Sequence, residues 1–344
     1  MATITSILSD ISTLSTSDRI LLKDRLVRMF TKHTSSLDEF VKTERFSGGL
    51  VCPLCGCIHI VRHGHRKDGT QRYLCRDCGK TFVAATNTIA SGTKKDLSVW
   101  EKYIDCMMNS FSLRKTAILC GIHKNTAFLW RHKILDALQN MANSVILDGI
   151  IEADETFFPV SYKGNHKNGS FVIPRRPRKR GSSTNTRGLS KEKVCVPCAV
   201  NRNGLSIAKA TNLSRVATKD LHFVYDSKIK VGSILVTDLM NSYRRFANKN
   251  TLKLVQLKGG KSKMGIYNIQ HINSYHNELK RFMYGFRGVS SKHLNNYLIW
   301  HNFVNYAKES EVDKRTILLK FVLIQNMVIR SADVSRKPVL PFVA

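Results

Sequence analysis

The chain has no run of about 18 apolar residues, so the sequence offers no membrane-spanning helix. Its first thirty residues have no continuous apolar core, because Asp10, Asp18 and Asp24 interrupt them, and no secretory leader is expected. Acid is scarce: 25 Asp and Glu stand against 55 Lys and Arg in 344 residues, a net charge of +30. Such a surface repels itself unless a polyanion neutralises it. A solvated basic surface or a ribosomal association is the plainer explanation; the motifs below favour nucleic acid. A hydrophobic content of 42% is ordinary for a globular chain, and the length suggests two or three domains. Nine cysteines, four of them in a metal-like spacing, fit a reducing cytosol better than a disulfide framework.

Against this basic background one stretch stands out, Ile150 to Phe158, which reads IIEADETFF. A carboxylate inside an apolar strand is costly unless it is paired or holds a metal. Glu152 and Asp154 share one face of such a strand and Glu155 points the other way. Parity alone does not choose between the faces.

Upstream, Cys52 and Cys55 form one CxxC and Cys75 and Cys78 another, with 19 residues between them. Turns at Pro53, Gly56 and Gly79 let the thiolates converge, and strands are expected at Ile58–Arg62 and Gln71–Leu74 around an Asp68-Gly69 turn. This is zinc-ribbon spacing. Four thiolates close the shell of one Zn²⁺, so its role would be structural. His59, His63 and His65 are then surface or DNA-facing residues, and Cys57 is spare. Four reduced thiols in a core are the alternative.

Residues 1–46 read as helical, with Ser17 as N-cap and Leu22, Leu26, Met29 and Phe30 on one stripe. Residues 47–90 hold the ribbon. Within 95–142, Ser112 to Lys133 fits a helix-turn-helix, with Ala117 at the crossing and Gly121 at the turn. Ile122, Ala127 and Trp130 would pack. His123, Lys124, Asn125 and Thr126 would open the helix that reaches base edges. An ordinary helical hairpin is the alternative. Residues 161–193 hold ten Lys or Arg and one acid, Glu192. The run with Arg175, Arg176, Arg178, Lys179 and Arg180 reads as a phosphate-binding insertion, ahead of a nuclear address or a solvated loop.

From Val194 on, a hairpin turning at Asn203-Gly204 is followed by a helix over 215–226 and an apolar strand ending at Asp238. Then come a helix over Asn241–Asn248, a strand over Leu252–Leu257 and an amphipathic helix over His271–Tyr284. Helical segments at about 290–309 and 312–330 follow. Cys195 and Cys198 form a third CxxC, but residues three apart in a strand face opposite ways and cannot grip one ion. The order strand, strand, strand, helix, strand, helix, strand, helix is a ribonuclease H-like α/β layout with a mixed five-stranded sheet. In that layout the first and fourth strands pair at the centre, which brings Asp154 to Asp238. Two carboxylates and one further oxygen donor suit a pair of Mg²⁺ or Mn²⁺ ions acting on a phosphodiester.

ADET around Asp154, VTD ending at Asp238, NSYHNELKRF and FRGVSSKHLNNYL, together with the ribbon, resemble the insertion-sequence DDE transposases related to the Merlin superfamily. The likeness spans roughly residues 50–330. It implies a catalytic domain over 146–310, followed by a helix and tail over 311–344. It also implies cleavage of double-stranded DNA at the terminal inverted repeats of a bacterial element, transfer of the 3′-OH ends to a target, and action in the cytoplasm at the nucleoid. Joining two ends implies a homodimer or larger synaptic complex. The resemblance selects Asp154 as the first metal ligand and Asp238 as the second. The usual third ligand is Glu, seven residues before a basic residue; here Lys280 is the basic residue and Asn273 stands in the Glu position, with 34 residues between it and Asp238. Some similar proteins use Asn there. His276, one turn on, and Glu278, about 140° around the helix, are the alternatives. Lys280 would contact DNA near the cleaved end, or be a solvated helix lysine. A catalytically inert DNA-binding protein and a nuclease without transposition are the competing functions.

Overall fold

A computed structural model describes residues 10–15, 18–19, 22, 37–165, 172–174, 190–258, 263–305 and 313–342. The helix expected after Ser17 and the arginine run Arg175–Arg180 lie outside the described residues, except for Leu22 and a few neighbours. In chain order the elements are α1 (Leu37–Arg45), β1 (Ile60–His65), β2 (Gln71–Cys75), β3 (Thr81–Phe82), α2 (Leu97–Met108), α3 (Leu113–Cys120) and α4 (Lys124–Asn143). Then follow β4 (Ile150–Pro159), β5 (Lys193–Asn201), β6 (Ser206–Ala208), β7 (Asn212–Leu213), α5 (Thr218–Tyr225), β8 (Ile234–Asp238), α6 (Asn241–Lys249) and β9 (Lys253–Leu257). The last are β10 (Lys263–Met264), β11 (Tyr267–Asn268), α7 (Gln270–Tyr284), a 3₁₀ turn (Ser291–His293), α8 (Leu294–Asn305), α9 (Lys314–Leu323) and α10 (Ser331–Arg336). No helix among the described residues is long and apolar enough to cross a membrane.

The chain forms two compact units, 1–123 with 315–328, and 124–314 with 329–344. In the first, β1, β2 and β3 make an antiparallel sheet over a small core of Tyr73, Phe82 and the inner thiols Cys52 and Cys75. Arg315 clamps α2 by pairing with Glu101 and Asp105, each at 2.6 Å. Ser112 caps α3 by accepting from the Lys115 amide. Gly121 ends it in the left-handed region at φ 59°, where the Ile122 amide returns to the Ala117 carbonyl. A side chain at that φ would be strained, which is why the turn takes glycine. The division between units falls at this turn, so α4 belongs to the second unit.

The second unit is built on a six-stranded sheet, in order β6-β5-β4-β8-β9 with β7 beside β5. β4 and β5 pair antiparallel along their length, from Ile151 opposite Asn201 to Pro159 opposite Lys193. β4 and β8 pair in parallel, as do β8 and β9. Three antiparallel strands followed by parallel ones, with helices on both faces, is a ribonuclease H-like fold. β5 and β8 are mostly apolar because both faces of the sheet are covered, whereas the central β4 also carries acids. One face, with Ile151, Ala153, Cys195 and Leu235, packs on α5 and α6 through Leu221, Tyr225, Tyr243 and Phe246. The other, with Val196, Cys198 and Val200, packs on α7 and α8 through Ile272, Leu279, Leu294 and Leu298. Cys195 and Cys198 therefore lie on opposite faces, as strand parity requires. The expected strand after Gly204 is only Ser206–Ala208, because the chain turns away to return as β7.

α4 joins this unit through buried polar contacts as well as apolar ones. The rings of His132 on α4 and His293 stack at 3.8 Å between centroids. Asn296 of α8 donates to Asp136 of α4 at 2.8 Å, and Lys337 pairs with the same carboxylate. Burial holds both imidazoles well below the usual histidine range, so both are neutral at pH 7. Leu235 lies fully buried in β8 between the two parallel partners. Leu235→Ala is expected to cost about 2–5 kcal/mol, read as a lower urea midpoint at unchanged slope.

Candidate active site

Asp154 occupies the middle of β4, on the face that α7 covers. Asp238 is the last residue of β8. The β4–β8 ladder sets Ile150 opposite Ile234 and Glu152 opposite Val236. The same register carried two residues on sets Asp154 against Asp238. Beyond Asp238 the chain leaves the sheet in a braced turn. The Met240 amide donates to Asp238 Oδ1 at 3.1 Å, and the Gln256 amide group donates to the Asp238 carbonyl at 2.8 Å. Burial pushes the Asp154 carboxyl up to about 6, and the charge of Asp238 adds to this while Lys280 partly offsets it.

α7 supplies the third side. His276 is buried, with Nδ1 at 3.8 Å from Asp154 Oδ2, too far for a hydrogen bond. Burial, reinforced by Lys280, pushes its imidazole down to about 4, so it meets Asp154 as a neutral ring. Its Nε2 is buried without a partner. Asn273 is exposed one turn before His276 on the same face, and Lys280 is exposed one turn after it. Glu278 is half-buried and turned away from that line. The fold thus brings together Asp154, Asp238, His276 and Lys280, with Asn273 at the rim.

Glu152 was not singled out by sequence reasoning beyond its parity with Asp154. It is 1% exposed and accepts from the His271 amide at 2.8 Å and the Ile272 amide at 3.1 Å, both in the first turn of α7. Those amides have no partner within the helix, and the helix dipole favours a negative charge there. Arg202 Nη2 completes the contact at 3.1 Å, and His271 Nδ1 lies 2.8 Å from the same carboxylate. Glu155 points to the opposite face, beneath Tyr243. Burial pushes its carboxyl up to about 7, and no hydrogen bond of ordinary geometry reaches its Oε1. Arg215 acts on it only as a nearby charge.

In the first unit Cys52, Cys55, Cys75 and Cys78 converge, with all four sulfurs within 4.8 Å of one another. The Cys52–Cys78 and Cys55–Cys75 separations are 3.9 and 3.6 Å, and none of the four is in a disulfide. A tetrahedron with Zn–S bonds of about 2.3 Å has edges of about 3.8 Å, so the four thiols fit one zinc ion. Backbone amides of Cys78 and Asp77 donate to Cys75 and push its thiol down to about 7, toward the thiolate a metal requires. His59 bonds Asp77 at 3.0 Å on the surface and lies outside the cluster. On α4, Lys124, Asn125 and Thr126 form the first turn, with Lys124 and Asn125 exposed. Ala127 and Trp130 are buried behind them.

The sheet order defines a ribonuclease H-like unit with carboxylates at its centre. Residues 146–303 match the ISXO2-like transposase domain, so this part of the chain is similar to insertion-sequence transposases. A relative from Halobacterium salinarum, described as an uncharacterized protein in transposable element ISH50, is 26% identical over 263 residues, 74% of this chain and 84% of its own length. Among solved structures, a simian T-cell lymphotropic virus intasome in complex with PP2A regulatory subunit B56 gamma is similar at 11% identity, covering 63% of this chain and 74% of that one, with a TM-score of 0.30. The Mos1 transposase paired-end complex with left transposon end is similar at 11% identity over 59% and 74%, with a TM-score of 0.23. Likenesses this slight carry no argument.

Two outcomes follow. Glu152→Ala is expected to cost about 3–5 kcal/mol, since it leaves buried amides and Arg202 unpaired. Glu152→Gln, whose amide oxygen still accepts, should lose less. Denaturation, with hydrogen exchange over α7, measures both. Elemental analysis should find one zinc per chain; Cys75→Ser should lower that content, and an unchanged content would remove Cys75 from the ligand set.

Proposed function

We propose that this protein is a transposase that cleaves double-stranded DNA at the terminal inverted repeats of its own insertion sequence and joins the freed 3′-OH ends to a target by transesterification. The observation that carries this reading is the register of β4 and β8, which sets Asp154 against Asp238 beneath the α7 face that bears Asn273 and Lys280. Asp154, raised to about 6 first by burial and then by the charge of Asp238, sits poorly as half of a structural pair and well as a ligand for divalent cations. Asp154 and Asp238 would hold two Mg²⁺ or Mn²⁺ ions, with the side-chain oxygen of Asn273 as a third donor. Bound ions there supply Lewis acidity and an activated oxygen nucleophile.

The chain's own residues do the rest. Asp154 would hold the cation as a carboxylate, so cation binding would be favoured as the pH rises through about 6. Neutral His276 walls the inner side of the carboxylate without competing for its charge. Lys280 attracts the phosphate next to the cleaved end. The ribbon over 47–90 and the helix-turn-helix over 95–142 would find the DNA, with Lys124, Asn125 and Thr126 at base edges and Arg175, Arg176, Arg178, Lys179 and Arg180 on phosphates. Two ends require at least two copies of the chain in one complex. Asn273, a neutral amide where an acid is usual, supports one rival: a protein that binds the repeats without cutting them.

The test is nicking and strand transfer on duplexes carrying the element's ends, with Mg²⁺ or Mn²⁺. Asp154→Ala and Asp238→Ala should each reduce cleavage by at least about a thousandfold, several kcal/mol of transition-state stabilisation being lost, while leaving DNA binding near wild type. Full activity in either variant would refute the site. Asn273→Asp should keep activity and Asn273→Ala lose most of it; if Asn273→Ala is fully active while His276→Ala or Glu278→Ala is not, the third ligand is reassigned. Wild-type protein that binds the ends and never cuts them would establish the inert reading.

A further inference from the structure

Between β9 and α7 the chain forms a short hairpin that the catalytic site does not use. Lys263 pairs with Asn268 and Met264 with Tyr267, leaving a two-residue turn of Gly265 and Ile266. Gly265 has φ 60°, the left-handed conformation that the first turn position of such a hairpin needs. Turn tips normally carry polar residues. Here the tip carries two large aliphatic ones, with Met264 52% and Ile266 67% exposed. Lone exposed aliphatics are common and mean little; two together on a tight turn are another matter.

Two further observations say what the tip meets. The first is attachment. Arg202 Nη2 donates to the Ile266 carbonyl at 3.2 Å and pairs with Glu152 at 3.1 Å. Glu152 lies two residues before Asp154 on the same strand face and holds the first turn of α7. The hairpin is therefore fastened to the residue that also fastens the catalytic helix. The second is charge. From Leu239 to Asn277 there is no Asp or Glu, while Arg244, Arg245, Lys249, Lys253, Lys258, Lys261 and Lys263 all lie in that stretch. Lys258 and Lys263, both on the chain's approach to the turn, are exposed. An apolar tip with cations beside it matches a duplex, whose apolar base stack lies between rows of phosphate.

We propose that Met264 and Ile266 form a wedge that enters the base stack of the DNA beside the cleaved phosphate and unstacks it, so that the strand can reach Asp154 and Asp238. This rests on the DNA-cleaving function proposed above. Inserted aliphatic side chains pay for unstacking with the apolar surface they bury, and a small polar residue cannot do the same.

The experiment compares the full chain with Met264→Ser/Ile266→Ser and Met264→Leu/Ile266→Leu double variants, in Mg²⁺. The probes are a fully paired duplex carrying the element's end, and the same duplex mismatched at the cleavage junction. Both also carry 2-aminopurine at that junction. The Ser variant should bind the paired duplex within about threefold of wild type, cleave it at least about tenfold more slowly, and recover most of that loss on the mismatched duplex, where unstacking is already done. The wild type and the Leu variant should brighten 2-aminopurine on binding the paired duplex, and the Ser variant should not. A Ser variant that brightens the probe and cuts the paired duplex at the wild-type rate overturns the wedge. So does one whose loss is equal on paired and mismatched ends, which marks the hairpin as a contact surface alone. A wild type that cuts neither duplex overturns the underlying function and the wedge with it, whereas a wild type that cuts beside an unaffected Ser variant removes the wedge alone.

Discussion

The catalytic unit depends on one buried carboxylate. Glu152 would be a costly residue in the central strand if it stood alone. It is satisfied by two amides that the start of α7 cannot pair internally, and by Arg202 from beyond the end of β5. A strand and a helix far apart in sequence are thus locked at one point, with one oxygen atom serving both amides. Every side chain that α7 turns toward Asp154 inherits its position from that contact. The helix packs below it through Ile272, Tyr275 and Leu279, but apolar packing alone would tolerate a small slide along the axis. The hydrogen bonds to Glu152 fix the starting point.

Three acids within four residues of β4 have three different fates, and the difference is environment. Glu152 is neutralised by donors, Asp154 is crowded by Asp238 at a partly open rim, and Glu155 is buried under Tyr243 with little to pair it. In a chain with more than twice as many basic as acidic residues, such local concentrations of acid are conspicuous. Burial first, and the neighbouring carboxylates second, raise the Asp154 and Glu155 carboxyls. A site that holds like charges together in this way is arranged for a cation to relieve them.

Most of the sheet was legible in the sequence because period-2 patterning and β-branched content mark buried strands, and the helices between them carry clear stripes. The pairing of Asp154 with Asp238 followed from element order alone. The opposite facing of Cys195 and Cys198 followed from strand parity. The four ribbon cysteines were legible because their spacing has few other physical meanings. What the sequence did not disclose depends on contacts between distant residues. Glu152 looked like a second candidate acid until α7 was seen to start above it. The closeness of His276 to Asp154, against the exposure of Asn273, is set by how α7 is rotated, which a stripe fixes only to within a residue or so. Gln256 has no local signal at all, since its role in bracing the Asp238 turn exists only once β9 lies beside β8.

The boundary between the two compact units falls within the turn at Gly121 and not after the helix that follows it. α4 is therefore built into the same body as the sheet, with its middle fixed by the stacked imidazoles of His132 and His293 and by Asp136, while its first turn faces solvent. It cannot swing without separating those rings. The unit consequently works as a rigid gauge. Whatever the first turn of α4 grips is held at a constant offset from the carboxylates, set by packed side chains and not by the length of a linker.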